Sequence, residues 1–190
     1  SFLAQLRLDK ILSQLKKGDY VIVEFGHNDE KEKKPGDGAW YSYSRNLKIF
    51  ADRVKAAGGN IIFCTPTARR AFEKDHKTNR NTHGDYPDAM NAVAQREGVP
   101  VIELTKMTTT FYEALGEEGS KKSLVHYPAN TFPNQPKPLA DNTHFNPYGA
   151  WEIAKMIVMG LKQMNSPLVQ HLRSDWQDFN PAQPDNPDAF

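Results

Sequence analysis

Two short runs in this chain hold residue types that could do acid–base and electrostatic chemistry. The first is Asp141-Asn-Thr-His144, with Phe145-Asn-Pro147 leading into a helical pattern. A carboxylate and an imidazole three positions apart at a loop-to-helix junction can meet within one turn. The carboxylate then takes the Nδ1 proton, which fixes the tautomer and leaves Nε2 free as a base. Such a histidine is half of a nucleophile activator. The second run is Gly26-His-Asn-Asp29. Its glycine permits a sharp turn, and the side-chain amide of Asn28 could stabilise an oxyanion. Each run also has an ordinary reading. Asp-x-x-His suits a helix N-terminal carboxylate beside a surface histidine, and His27 or Asn28 suits a turn.

The elements that must position these runs can be read from hydrophobic spacing. Leu3, Leu6, Leu8, Ile11, Leu12 and Leu15 recur at helical intervals and stop at Gly18. Asp19 to Phe25 reads as a buried strand ending at Gly26. Leu47, Phe50, Ala51 and Val54 line one face of a helix from Ser42 to Ala57, and Asn60 to Cys64 is a second strand that Pro66 stops. Pro87 opens a helix that ends at Gly98. Val99 to Leu104 is a third strand, and Lys106 to Leu115 a further helix. Ser120 to Thr143 is polar and proline-containing and reads as mostly loop, before a strong helix from Pro147 to Met164. This alternation predicts an α/β domain with a parallel sheet over 1–173, followed by a Pro- and Asp-rich tail or linker over 174–190. Parallel sheets present their sites beyond the carboxyl ends of the strands, which is where Gly26–Asp29 falls. Three strands are few for so many helices, so one or more leading strands are expected outside these residues.

Composition excludes several classes. The 190 residues suffice for one such domain. Lys plus Arg is 24 against 23 Asp plus Glu, a balance that gives no electrostatic case for nucleic acid. The mean hydropathy is −0.68, and the apolar runs are strand-sized, far short of the ~20 residues of a membrane helix. The lone cysteine, Cys64, rules out an internal disulfide framework. It lies in an apolar strand-like run, as a buried structural thiol would.

Taken together, the two runs resemble the third and fifth sequence blocks of the SGNH/GDSL hydrolases. More narrowly, Phe25-Gly-His-Asn-Asp29, Thr65-Pro-Thr-Ala-Arg-Arg70, Thr82-His-Gly-Asp-Tyr-Pro87 and Asp141-Asn-Thr-His-Phe145 resemble the rhamnogalacturonan acetylesterase branch. The resemblance runs from Ser1 to about Leu161. It implies a flavodoxin-like three-layer α/β/α sandwich and ester hydrolysis through an acyl-enzyme, with no metal or organic cofactor. By the same resemblance His144 is the general base, Asp141 its orienting partner and Asn28 the side-chain donor of the oxyanion hole. His83 is the candidate substrate contact. The implied substrate is an acetylated, pectin-type polysaccharide or oligosaccharide, and the implied location is secreted or periplasmic.

One feature of the family is absent from the sequence. Its first block carries the nucleophile in Gly-Asp-Ser, and neither that run nor Gly-x-Ser-x-Gly occurs in these residues. Ser42 and Ser44 suit a helix start, Ser120 and Ser123 a polar loop, and Ser1, Ser13, Ser166 and Ser174 have no adjacent base or strained turn. The expectation is a nucleophile outside this chain, in a preceding or separate N-terminal segment, with the 190 residues inactive alone. Polar and aromatic runs at Trp40–Tyr43, Thr82–Tyr86 and His126-Tyr127 suit sugars better than a long acyl chain. Two rivals are set against the esterase. One is a non-catalytic carbohydrate-binding pseudoenzyme. The other is a metal hydrolase using His27, Asp29, Asp141 and His144, for which no motif supplies further ligands.

Overall fold

A computed structural model describes residues 2–190, so Ser1 lies outside the described residues. The chain divides into two compact units. One runs to Pro66 and takes up the chain again over His83–Glu103; the other comprises Thr67–Thr82 and Leu104–Phe190.

The first unit carries a parallel sheet of β1 (Tyr20–Glu24), β2 (Asn60–Cys64) and β3 (Val101–Ile102), hydrogen-bonded in that order. Val21 faces Ile61, Val23 faces Phe63, and Phe63 faces Val101. Parallel neighbours need crossover connections, and helices α2 (Ser44–Ala56) and α3 (Tyr86–Glu97) supply them. Val23, Ile61 and Phe63 share one core with Leu47, Phe50 and Val54 of α2 and with Met90 and Val93 of α3. Leu8 of the short α1 (Arg7–Leu12) joins the same core. The α/β class with a parallel sheet is therefore the one the alternation predicted. The first helix is shorter than its apolar spacing suggests, and the third strand keeps two residues of the six expected.

The second unit holds α4 (Leu104–Gly119, interrupted at Gly116), β4 (Leu124–Tyr127), β5 (Leu139–Phe145) and α5 (Pro147–Gln163). Its interior includes the fully buried Phe111, Tyr112, Leu124 and Met156. The reading of Ser120–Thr143 as mostly loop is corrected here, because β4 and β5 pair as an antiparallel ribbon. Leu-Ala-Asp-Asn-Thr-His-Phe contains three residue types depleted in strands, so propensity argued against a strand that tertiary pairing imposes.

Helix α5 starts on Pro147, and its N-cap Asn146 accepts a hydrogen bond from Gly149 N at 2.9 Å. A Cβ at Gly149 would lie 1.9 Å from the Ser123 carbonyl oxygen, a backbone atom that cannot move aside cheaply. Gly149→Ala is therefore expected to destabilise the protein by about 2 kcal/mol or more. Urea unfolding reads this directly, and an unchanged midpoint would show that the helix start can shift without cost. Residues 174–190 have no helix or strand among the described residues apart from a turn at Pro187–Ala189, yet they lie against α5. Lys155 Nζ meets Asp185 at 2.7 Å, Tyr148 donates to the Asp185 carbonyl at 2.8 Å, and Lys122 meets Asp188 at 2.6 Å. No helix among the described residues is long and apolar enough to cross a membrane.

Candidate active site

Asp141 and His144 sit in β5, not at a loop-to-helix junction, and they meet by a different route from the helical turn expected of their spacing. Leu124 faces Phe145 across the ribbon while His126 faces Ala140, so two steps along β4 are matched by five along β5. The four intervening residues, Asp141 to His144, stand opposite Val125 alone and bulge out of the ladder. In a flat strand, side chains three apart point to opposite faces; a bulge re-aims them. The imidazole Nδ1 of His144 lies 2.7 Å from Asp141 Oδ2. The other oxygen, Oδ1, accepts from the backbone N–H of Thr143 at 2.7 Å and of His144 at 3.0 Å. One carboxylate thus both caps the bulge and holds the ring.

Burial pulls the Asp141 carboxyl upward, but the bonds from His144 N–H, the His144 ring and Thr143 N–H together outweigh it. The group is held below its ordinary value. An ionised carboxylate can only accept, so Nδ1 carries the ring proton and neutral His144 keeps its lone pair on Nε2. The ring is 76% exposed, which leaves that nitrogen open to a reacting group.

Asn28 and His83 belong to the first unit. Gly26, with φ +147°, ends β1; a Cβ there would come within 3.0 Å of the Pro66 ring, so the turn into His27-Asn28 requires glycine. Asn28 Oδ1 accepts from Lys31 Nζ at 2.9 Å, which leaves the amide N–H₂ without an acceptor among the described residues. Asn28 and Asp29 are also part of the wall of a cavity of about 320 Å³ whose remaining lining includes Phe2, Leu3, Phe25 and Phe50. Burial pushes the Asp29 carboxyl up from its ordinary value. His83 is covered, its side chain 1% exposed, with Nδ1 2.9 Å from Glu30 Oε2 and its ring edge-on to His27 at 4.6 Å. It stands behind the Gly26–Asp29 turn, and contact with a substrate would require uncovering the ring. Burial raises the Cys64 thiol to about 12, an inert interior group. Among the described residues, no three His, Cys, Asp or Glu side chains are grouped so that they could hold a metal ion.

Residues 1–151 match the model of the GDSL-like lipase/acylhydrolase family. The chain belongs to that family. It is 39% identical to rhamnogalacturonan acetylesterase RhgT of Bacillus subtilis over 92% of its own length and 74% of that protein's. It is 29% identical to the probable rhamnogalacturonan acetylesterase YesY of the same organism, over 90% and 75%. Among solved structures it is similar to YxiM of Bacillus subtilis, with a TM-score of 0.65 at 23% identity; the match covers 84% of this chain and 41% of that one. It also shares its fold with a lipase/acylhydrolase from Enterococcus faecalis, at TM-score 0.52 and 20% identity over 85% and 69% of the two chains.

Within this GDSL-family chain, the aromatics singled out by sequence divide into two sets. Tyr43 and Tyr86 are buried, with rings 4.9 Å apart and the Tyr43 hydroxyl donating to the Phe25 carbonyl, so they build the first unit. Trp40 and Tyr41 stay exposed. In the second unit, Tyr127 stands edge-on to the exposed Phe132 at 5.0 Å, on the loop that joins the two strands of the bulged ribbon. Sequence reasoning named no role for Arg70 or Asn142, and read His126 only as part of a run suited to sugars. All three meet at the bulge, and each lies in a run that the sequence singled out: Thr65–Arg70, His126-Tyr127 and Asp141–His144.

Proposed function

We propose that this protein is a carbohydrate esterase that removes acetyl groups from a pectin-type polysaccharide by a Ser-His-Asp mechanism. The observation that carries the reading is the 2.7 Å contact between Asp141 and His144, with Nε2 of an exposed ring left as the base. The names of the related acetylesterases support the acetyl and pectin assignments, and the exposed Trp40, Tyr41 and Phe132 suit sugar rings.

The nucleophile in this proposal is a serine of a Gly-Asp-Ser block, which these 190 residues do not contain. Its hydroxyl oxygen attacks the acetyl carbonyl carbon while Nε2 of His144 takes the hydroxyl proton. The carbonyl oxygen becomes an oxyanion, for which the family resemblance supplies Asn28 as the side-chain donor. When the oxyanion collapses, the C–O bond to the sugar breaks and His144 returns the proton to the leaving oxygen. Water, deprotonated by the same nitrogen, then hydrolyses the acetyl-serine to acetate and free serine. A polymeric pectin substrate also leads us to place the protein as secreted or periplasmic.

Acetate release by the chain joined to its Gly-Asp-Ser segment, on acetylated rhamnogalacturonan and on acetylated xylan, tests the reading. A clear preference for the former is expected, with no turnover by the 190 residues alone. Binding of acetylated oligosaccharide without acetate release would instead mark a non-catalytic binder. Asn28→Ala is expected to lower kcat about 10²- to 10³-fold, the usual cost of one oxyanion donor. A change confined to KM would make Asn28 a binding residue.

A further inference from the structure

We infer that Arg70 is the positioning residue that holds the Asp141–His144 bulge in register, an inference that rests on reading that pair as the base and its partner. Arg70 is 8% exposed. Its backbone N–H donates to the Asn142 carbonyl at 2.9 Å, and its Nη1 donates to the Asn142 side-chain oxygen at 3.2 Å. Asn142 is the residue next to Asp141 inside the bulge, and its side-chain oxygen also meets His126 Nε2 at 2.9 Å. The rest of the guanidinium is anchored on the end of α4 and the turn after it. Nε donates to the Glu117 carbonyl and to Ser120 Oγ, both at 3.0 Å.

The bulge's own backbone needs this hold. Residues that leave a β-ladder lose their partners, and buried or half-buried N–H and C=O groups must find others. The N–H groups of Thr143 and His144 go to Asp141 Oδ1, the carbonyl of Asn142 accepts from the Arg70 backbone N–H, and the Asn142 side-chain oxygen accepts from the guanidinium. Asp141 therefore fixes one side of the bulge and Arg70 the other. The charge of the guanidinium is met in an unusual way. Burying a guanidinium is costly unless its donors are met, yet no carboxylate among the described residues pairs with Arg70. Its partners are a carbonyl, a hydroxyl and the Asn142 amide, with the Phe72 ring 5.6 Å away. A rigid planar fork spanning α4 and the bulge is a use that lysine cannot match.

Arg70→Lys, which keeps the charge and the main-chain bond and loses the fork, and Asn142→Ala, which removes the side-chain acceptor and leaves the main-chain bond and the α4 anchors of Arg70 intact, test the inference. Both are made in the chain joined to its Gly-Asp-Ser segment. Each is expected to lower kcat about 10- to 100-fold with KM within about twofold, the usual cost of small misplacement. Nitrogen-resolved NMR of neutral His144 supplies a second readout that needs no ester. The Nδ1–H tautomer of the parent should give way to a mixture with Nε2–H in both variants. Folded variants with parent kcat and an unmixed Nδ1–H tautomer would overturn the inference. So would losses of activity that merely follow the folded fraction while the tautomer stays put. A tautomer shift in variants of a protein whose parent shows no esterase activity would leave Arg70 in its positioning role and remove the esterase reading instead.

Discussion

His144→Ala is expected to lower kcat about 10⁴- to 10⁶-fold while KM and the unfolding temperature stay close to those of the parent. The size follows from what the ring does in the proposed cycle. It takes the serine proton, returns it to the sugar oxygen, and repeats both steps with water, so no stage proceeds normally without it. The preserved stability follows from its place. The ring is mostly exposed and packs in no core, so truncation creates no cavity. Steady-state kinetics on an acetylated substrate, with thermal unfolding in parallel, check both halves. Partial recovery on adding free imidazole would tie the loss to the missing base. Turnover near that of the parent would remove His144 from the mechanism.

Asp141→Asn is expected to cost about 10⁴-fold in kcat with the fold intact, because the change reverses a tautomer. An asparagine Oδ1 can still accept from Thr143 and His144 N–H, so the bulge keeps its cap. The atom facing the ring, however, becomes an N–H₂ donor. Nδ1 of His144 must then accept, the proton moves to Nε2, and the nitrogen meant to act as base no longer has a lone pair. The pH dependence follows from the same carboxylate. Its folded value is depressed below the ordinary one, so its contribution to the bulge is fully present above the unfolded value and fades only as pH falls through the lower, folded one. Acid loss of activity at pH values above the ordinary aspartate range is therefore assigned to a group other than Asp141. Asp141→Asn with a kcat within a few-fold of the parent would show that the carboxylate does not set the tautomer.

Much of the first unit was legible in sequence because its elements obey local rules. Asn60–Cys64 was found to the residue, since four apolar positions lie between a Gly-Gly turn and Pro66. Helix α3 was bounded by Pro87 and Gly98 for equally local reasons. The second unit was harder. The ribbon of β4 and β5 has few β-branched residues, and its pairing joins Leu124 to Phe145 across a long loop. No window of sequence contains that information.

The spacing Asp-x-x-His, by itself, determined that a carboxylate and an imidazole could meet, and the alternation of helix and strand determined the α/β class. Only the tertiary structure decided how they meet. Three-residue separation brings side chains together on a helix but parts them on a flat strand. The register of β5 against β4, together with the hold of Arg70 on Asn142, converts that strand into a bulge that gathers them. Burial is likewise a property of the packed chain: His83, named from sequence as the candidate substrate contact, lies covered against Glu30 and His27. Composition and period are local quantities, whereas register and burial depend on segments far apart in the chain.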